Sequence, residues 1–229
     1  MAEFIFMLTK NDATVPNALA VYDVVRATDL RLIGFKDIGV PVETQSELAK
    51  RIHADGRTVV LEIVSTDAAT ELSSVRTGID IGADIIMGGT HPDAALPLLE
   101  GRSIRYFPFP GHVVDHPSIL EGSVEEVAAS ATELTARPGV HGLDLLAYRH
   151  RTADVPVLIR AVVNAASAPV IVAGSIDSLE QIQTVVACGA WGFTIGAAVI
   201  DRLLVAGGGL RQQVDAALRA AVEAPRTTR

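Results

Sequence analysis

The sequence predicts a single (β/α)8 TIM barrel of the α/β class with a parallel eight-stranded core, and three observations carry that expectation. Eight short apolar runs rich in β-branched and aromatic residues alternate with amphipathic segments of helical length. The 229 residues suit one such domain, because α/β barrels commonly reach roughly 250 residues around one core. No Pro-, Gly- or Ser-rich linker divides the chain. Residues 1–224 are therefore assigned to one barrel domain, and residues 225–229 to a frayed C-terminal tail.

The apolar runs fall at residues 3–8, 31–35, 58–64, 84–87, 104–107, 140–146, 169–173 and 191–195. Near-continuous hydrophobicity over four to eight residues is the pattern of a strand covered on both faces, as in a parallel sheet wrapped by helices. Helical patterns include residues 15–27, 43–54, 68–81, 124–136, 155–166, 179–188 and 210–222. Pro16 marks the start of the first, Ser123 with Glu126 reads as a capping box, and Ser178 precedes another helix. Gly82-Ala83 and Gly189-Ala190 supply helix stops followed by short returns.

Composition removes several classes of function. A formal charge of −8 gives no electrostatic attraction for nucleic acid or an anionic membrane, so an anionic ligand must be caught locally. The apolar runs are roughly half the ~20 residues that a membrane-spanning helix needs. Residues 1–8 carry Glu3 and lack a basic start, so they read as a first strand and the chain as cytoplasmic. The one cysteine, Cys188, permits no intramolecular disulfide and no cysteine metal cluster. His112 and His116 lack a third ligand, and no nucleotide fingerprint is present, so neither metal nor cofactor is expected.

In this fold the chemistry sits at the carboxyl ends of the strands. The candidate ring therefore includes Thr9, Lys10, Asn11 and Asp12 after the first run, Lys36 and Asp37 after the second, and Glu62 within the third. Thr90 follows the fourth run, where Gly88-Gly89 lets the backbone approach substrate hydroxyls. His112 follows the fifth and is an acid or base candidate near the mouth; Asp144, Tyr148 and Arg149 come from the sixth.

Residues 168–182, Ala-Pro-Val-Ile-Val-Ala-Gly-Ser-Ile-Asp-Ser-Leu-Glu-Gln-Ile, and 188–198, Cys-Gly-Ala-Trp-Gly-Phe-Thr-Ile-Gly-Ala-Ala, resemble the last two units of the ribulose-phosphate-binding barrels. That superfamily contains sugar-phosphate isomerases, epimerases and aldolases. The resemblance implies a phosphate site at Gly174, Ser175, Gly196 and Ala197, built from main-chain amides and the opening of a short helix. Ser175 stands where the group commonly has a second glycine. Barrels of this group are often dimers, although no stripe here marks an interface.

The chain has only three lysines among 19 basic residues, and two of them, Lys10 and Lys36, directly follow apolar runs. Lys36 and Glu62 sit on neighbouring strands, and burying either charge alone would cost several kcal/mol, so they are expected to pair in the mouth. Such a lysine can attack a carbonyl or stabilise an enolate as a cation. Lys10 is expected to steer phosphate or polarise a carbonyl. Asp144 is a general-base candidate inside an apolar strand, and Arg149 offers a planar fork for a carboxylate or second phosphate.

These residues point to an enzyme acting on a small phosphorylated sugar or keto acid by aldolase, lyase, isomerase or epimerase chemistry. The catalytic candidates are Lys36, Glu62, Asp144 and Lys10; the substrate-binding candidates are Thr90, His112 and Arg149. The chain also resembles glycerol-phosphate-responsive antiterminator barrels at Leu8-Thr9 and in the segment from 169–173 to Ile195. That resemblance implies a non-catalytic sensor with a basic RNA surface, which the acidic balance opposes.

Overall fold

Alternation of inward and outward side chains builds the molecule, seen in a computed structural model that describes residues 1–223. The tail expected at residues 225–229 lies outside the described residues. Eight parallel strands form the main sheet: β1 (Glu3–Met7), β2 (Leu32–Lys36), β3 (Thr58–Ile63), β4 (Ile85–Gly88), β5 (Arg105–Phe107), β6 (Leu143–Leu145), β7 (Val170–Val172) and β8 (Gly192–Ile195). Their order is β6-β7-β8-β1-β2-β3-β4-β5. The seam between β5 and β6 is closed by backbone bonds from the His141 amide to the Tyr106 carbonyl (2.8 Å) and from the Asp144 amide to the Pro108 carbonyl (3.1 Å). The sheet is thus a single (β/α)8 barrel.

One apolar set, Ile5, Met7, Leu32, Val60, Ile85, Met87, Phe107 and Ile171, packs inside the barrel, while a larger set lies between strands and helices. Both sets come from the same runs at period two, which explains why the strands read as continuously apolar. The Arg105 guanidinium stacks over Phe107 and Trp191 at 5.8 and 5.7 Å. Met7 and Gly34 are register partners, and a Cβ on Gly34 would lie 2.2 Å from the Met7 sulfur.

Helices α1 (Ala18–Val25), α2 (Val42–Ala54), α3 (Ala68–Asp80), α4 (Pro92–Leu99), α5 (Val124–Thr135), α6 (Val155–Ala165), α7 (Leu179–Ala187) and α8 (Leu210–Glu223) cover the barrel. Side-chain caps start several of them. Asp67 accepts from the Thr70 amide, Asp154 from the Val157 amide and Ser178 from the Gln181 amide, and Ser123 and Glu126 form the reciprocal capping box. Helix α1 begins later than the hydrophobic pattern implies, at Ala18, because the backbone of Asn17 is still non-helical. No helix of the described residues is long and apolar enough to cross a membrane.

Two hairpins were not evident from periodicity. Thr9–Lys10 pairs antiparallel with Ala13–Thr14, and His112–Val114 with Ile119–Glu121. Each follows a barrel strand, β1 and β5 respectively, and together they wall one side of the mouth. The second hairpin is anchored by the buried side chains of Val113 and Leu120.

Candidate active site

The barrel mouth holds a cavity of about 710 Å³, lined by residues from the two hairpins, from the ends of β2 and β3, and from the loops after β6, β7 and β8. Lys36 ends β2, where its amide donates to the Thr14 hydroxyl and its carbonyl accepts from the same hydroxyl, both at 2.8 Å. This fixes the backbone from which the ammonium reaches the cavity floor. Glu62, its register partner on β3, places a carboxylate oxygen 3.1 Å from Nζ. Asp12 meets the same nitrogen from the other side.

Asp12 lies at the turn of the first hairpin, where Asn11 and Asp12 both adopt left-handed backbone at φ 50° and 61°. Asn and Asp tolerate that conformation better than other side chains. The buried Asp12 carboxylate accepts from Arg149 Nη1 (2.7 Å), the Ser118 amide (3.0 Å) and the Ser118 hydroxyl (3.3 Å), and His116 Nδ1 lies 3.5 Å away. Burial alone would raise its pKa. The Lys36 and Arg149 charges and the Ser118 amide outweigh that effect and hold the carboxyl well below the usual carboxylate range. Burial would likewise lower the pKa of Lys36, but Glu62 and Asp12 raise it above the ordinary lysine value. The lysine is therefore an ammonium.

Asp144 is the exception. Leu143 and Leu145 face the helices, so alternation turns Asp144 into the barrel, where it is fully buried and off the cavity lining. Neither carboxyl oxygen has a hydrogen-bond partner among the described residues. Burial, followed by the nearby Glu62 charge, pushes its pKa well above the ordinary value, against the weaker pull of Lys36 and Arg149. Two cations, Lys36 and Arg149, already face two anions, Asp12 and Glu62. Among the described residues no counter-charge remains for a third carboxylate, and the neutral acid is favoured.

On the opposite wall, Gly174, Ser175 and Ile176 after β7 face the cavity with Gly196, Ala197 and Ala198 after β8. The last two belong to the short helix Ala197–Ile200. Gly174 and Ser175 have φ 85° and 58°, and a Cβ on Gly174 would lie 2.7 Å from Arg149 Cγ. A Cβ on Gly196 would lie 2.6 Å from the Thr9 carbonyl oxygen. The protein's own packing thus requires both glycines. Among the described residues, none accepts a hydrogen bond from the amides of Ser175, Ile176, Gly196 or Ala197.

The structure gathers Lys10, Lys36, Glu62, Arg149, Gly174, Ser175, Gly196 and Ala197 around this one cavity. Lys10 sits at the exposed rim, paired with Asp201 at 2.5 Å. Thr90 and His112 are not brought to it. The Thr90 amide donates to the buried Glu71 carboxylate at 2.9 Å, and His112 projects into solvent beside Glu121. Hydrogen bonds from the His91 amide (3.0 Å) and ring (2.8 Å) hold that same carboxylate at the start of α4, so the loop after β4 is tied to α3 instead of opening to the mouth. Asp12, named only as a member of the candidate ring and given no role, joins the cluster with Ser118, which no sequence signal marked. The polar run after β1 was the only signal for Asp12.

The fold and the position of the site define the class: a (β/α)8 barrel with a charged cavity at the carboxyl ends of its strands. No family model and no curated protein matches the sequence. Among solved structures the chain is similar to orotidine 5′-phosphate decarboxylase from Pyrococcus horikoshii OT3, at 12% identity and a TM-score of 0.68, over 95% of this chain and 98% of that one. It is also similar to N-(5′-phosphoribosyl)anthranilate isomerase from Pyrococcus furiosus, at 16% identity and 0.62, over 96% and 98%. The YdjI aldolase from Escherichia coli K12 matches at 15% and 0.60, over 96% and 89%. At such identities the likeness is one of fold, shared with barrel enzymes that carry decarboxylase, isomerase and aldolase names.

Proposed function

We propose that the protein is an enzyme acting on a small phosphorylated sugar or keto acid through an enolate, by lyase or isomerase chemistry. The observation that carries this reading is the Lys36 ammonium, fixed on the cavity floor between Glu62 and Asp12 and facing loops with unpaired amides. A phosphate would lie between the loops after β7 and β8, held by backbone amides and by the side of Arg149 that crosses Gly174. Local donors of this kind can hold an anion in a protein whose overall charge is −8.

With the phosphate so placed, the substrate carbonyl would approach Lys36. Glu62 takes a proton from the adjacent carbon, and the ammonium stabilises the oxyanion that forms. Two neighbouring carboxylates keep Lys36 protonated, which favours this electrostatic role over Schiff-base attack. Lys10 at the rim adds positive charge along the entry path. Asp144, as a neutral acid behind Glu62, keeps the floor from gaining a third negative charge. Thr90 and His112 lie off the cavity and take no part.

The test is a thermal-shift screen of ketose and aldose phosphates and phosphorylated keto acids, followed by proton NMR of each binder in D2O. Deuterium incorporation next to the carbonyl, or cleavage, is expected, and Glu62→Gln should slow it by about 10²–10⁴-fold. Binding without exchange or cleavage across the panel would overturn the enzyme reading in favour of a ligand-sensing barrel.

A further inference from the structure

We infer that Asp12 is the positioning residue of this site: its one carboxylate fastens the Lys36 ammonium, the Arg149 guanidinium and the Ser118 amide to one another, and so fixes Lys36 as a cation. The inference rests on the electrostatic reading of Lys36 given above, and it adds the residue on which that reading depends. The geometry is fully engaged. One oxygen of Asp12 meets both Lys36 Nζ and Arg149 Nη1, the latter at 2.7 Å, while the other accepts from the amide and hydroxyl of Ser118. Arg149 closes the circuit by donating to the Ser118 carbonyl at 3.3 Å.

Four separate pieces of chain thereby meet at one side chain: the turn after β1, the end of β2, the hairpin after β5 and the turn after β6. Asp12 has no exposed side-chain surface, so no solvent competes for these bonds. Its backbone is held in the left-handed region beside Asn11, a conformation that costs free energy and persists where surrounding contacts over-determine it. The contacts that do so here are to the proposed electrostatic residue and to the wall of the cavity.

The titratable groups facing Lys36 are Asp12 from the first hairpin, Glu62 from β3 and Arg149 from the turn after β6, with Asp144 on β6 inside the barrel. Removing the Asp12 charge leaves a buried lysine with one anion, and with a guanidinium released from its own partner. Both changes favour the neutral amine. Asp12 therefore sets how firmly the lysine is held as a cation, and losing the Asp12 charge makes the ammonium easier to deprotonate.

The experiment uses the full chain labelled with 13Cε-lysine, which gives three side-chain signals assigned with Lys10→Arg and Lys50→Arg. No substrate is needed, so its outcome is independent of whether turnover is found. In the wild type the Lys36 signal should stay in its charged position beyond the pH at which free lysine titrates, about 10.4. In Asp12→Asn its midpoint should fall by about 1–3 units. An unchanged midpoint in that variant, or a wild-type Lys36 that titrates below free lysine, overturns the assignment. Arg149→Gln serves if Asp12→Asn does not fold. With its rival gone, Asp12 holds Lys36 more firmly and the midpoint should rise, whereas a fall overturns the proposal.

Discussion

Asp12 and Asp144 are aspartates of one site pushed in opposite directions, because one has two cations in contact and the other has none. The effect on stability follows from the direction. Asp144 has a native pKa above its unfolded value, so above about pH 4 the unfolded chain releases a proton that the native protein keeps, and stability falls as pH rises toward the native pKa. Asp144→Asn carries no such penalty. Its thermal midpoint relative to wild type should therefore improve from pH 4 to pH 8, which scanning calorimetry at both values would show; a constant difference would mean that Asp144 is not raised. For Asp12 the sign reverses, since its depressed pKa contributes stability above about pH 4 that is lost as pH falls through the native value. The deficit of Asp12→Asn should shrink in acid. A third expectation concerns Lys36: borohydride with a binding ketose phosphate should leave no adduct on the wild-type lysine, as judged by peptide mass.

The loops after β7 and β8 were legible as a pair, because Gly174-Ser175 and Gly196-Ala197 follow two apolar runs at the expected spacing. Lys36 and Glu62 were legible as partners for a related reason. Lys36 directly follows one apolar run and Glu62 lies inside the next, and parallel register places them opposite one another. Asp12 was not, since its partners Lys36, Ser118 and Arg149 lie 24, 106 and 137 positions away and no periodicity links a turn to such distant residues. Pro108, Pro110 and Pro117 in and before the hairpin at residues 112–121 hid its strand pairing, because proline interrupts the pattern of a strand. The elements also differ in tolerance. Gly196→Ala pushes a methyl against the rigid Thr9 backbone and should cost about 1–3 kcal/mol in urea unfolding. Because the same loop faces the cavity, the variant should also weaken binding of any phosphorylated ligand found in the screen. Ser123→Ala removes only a distant cap and should cost about 1 kcal/mol without touching binding.

At the scale of the whole molecule, function and stability are coupled through the mouth. Strands β1, β2, β3, β6 and β8 and the loop after β7 all send residues to the cavity or to the charged cluster beside it, so a ligand there joins much of the barrel. A phosphorylated compound that binds only the native state should, at a hundred times its Kd, add about 2.7 kcal/mol and raise the melting temperature by roughly 5–10 °C. The fold itself was readable because two-sided burial leaves continuous apolar runs.

The contact between Met7 and Gly34 carries this into heredity. One strand supplies the bulk that its neighbour leaves out, so neither position can drift alone: enlarging residue 34 requires trimming residue 7. Met7 also lines the cavity. A compensated exchange, Met7→Ala with Gly34→Val, would keep the number of side-chain atoms inside the barrel while moving part of the chamber wall from one strand to the next. The pair is thus a route by which descendants of this sequence could change the shape of what they accept while leaving Lys36, Glu62 and Asp12 in place.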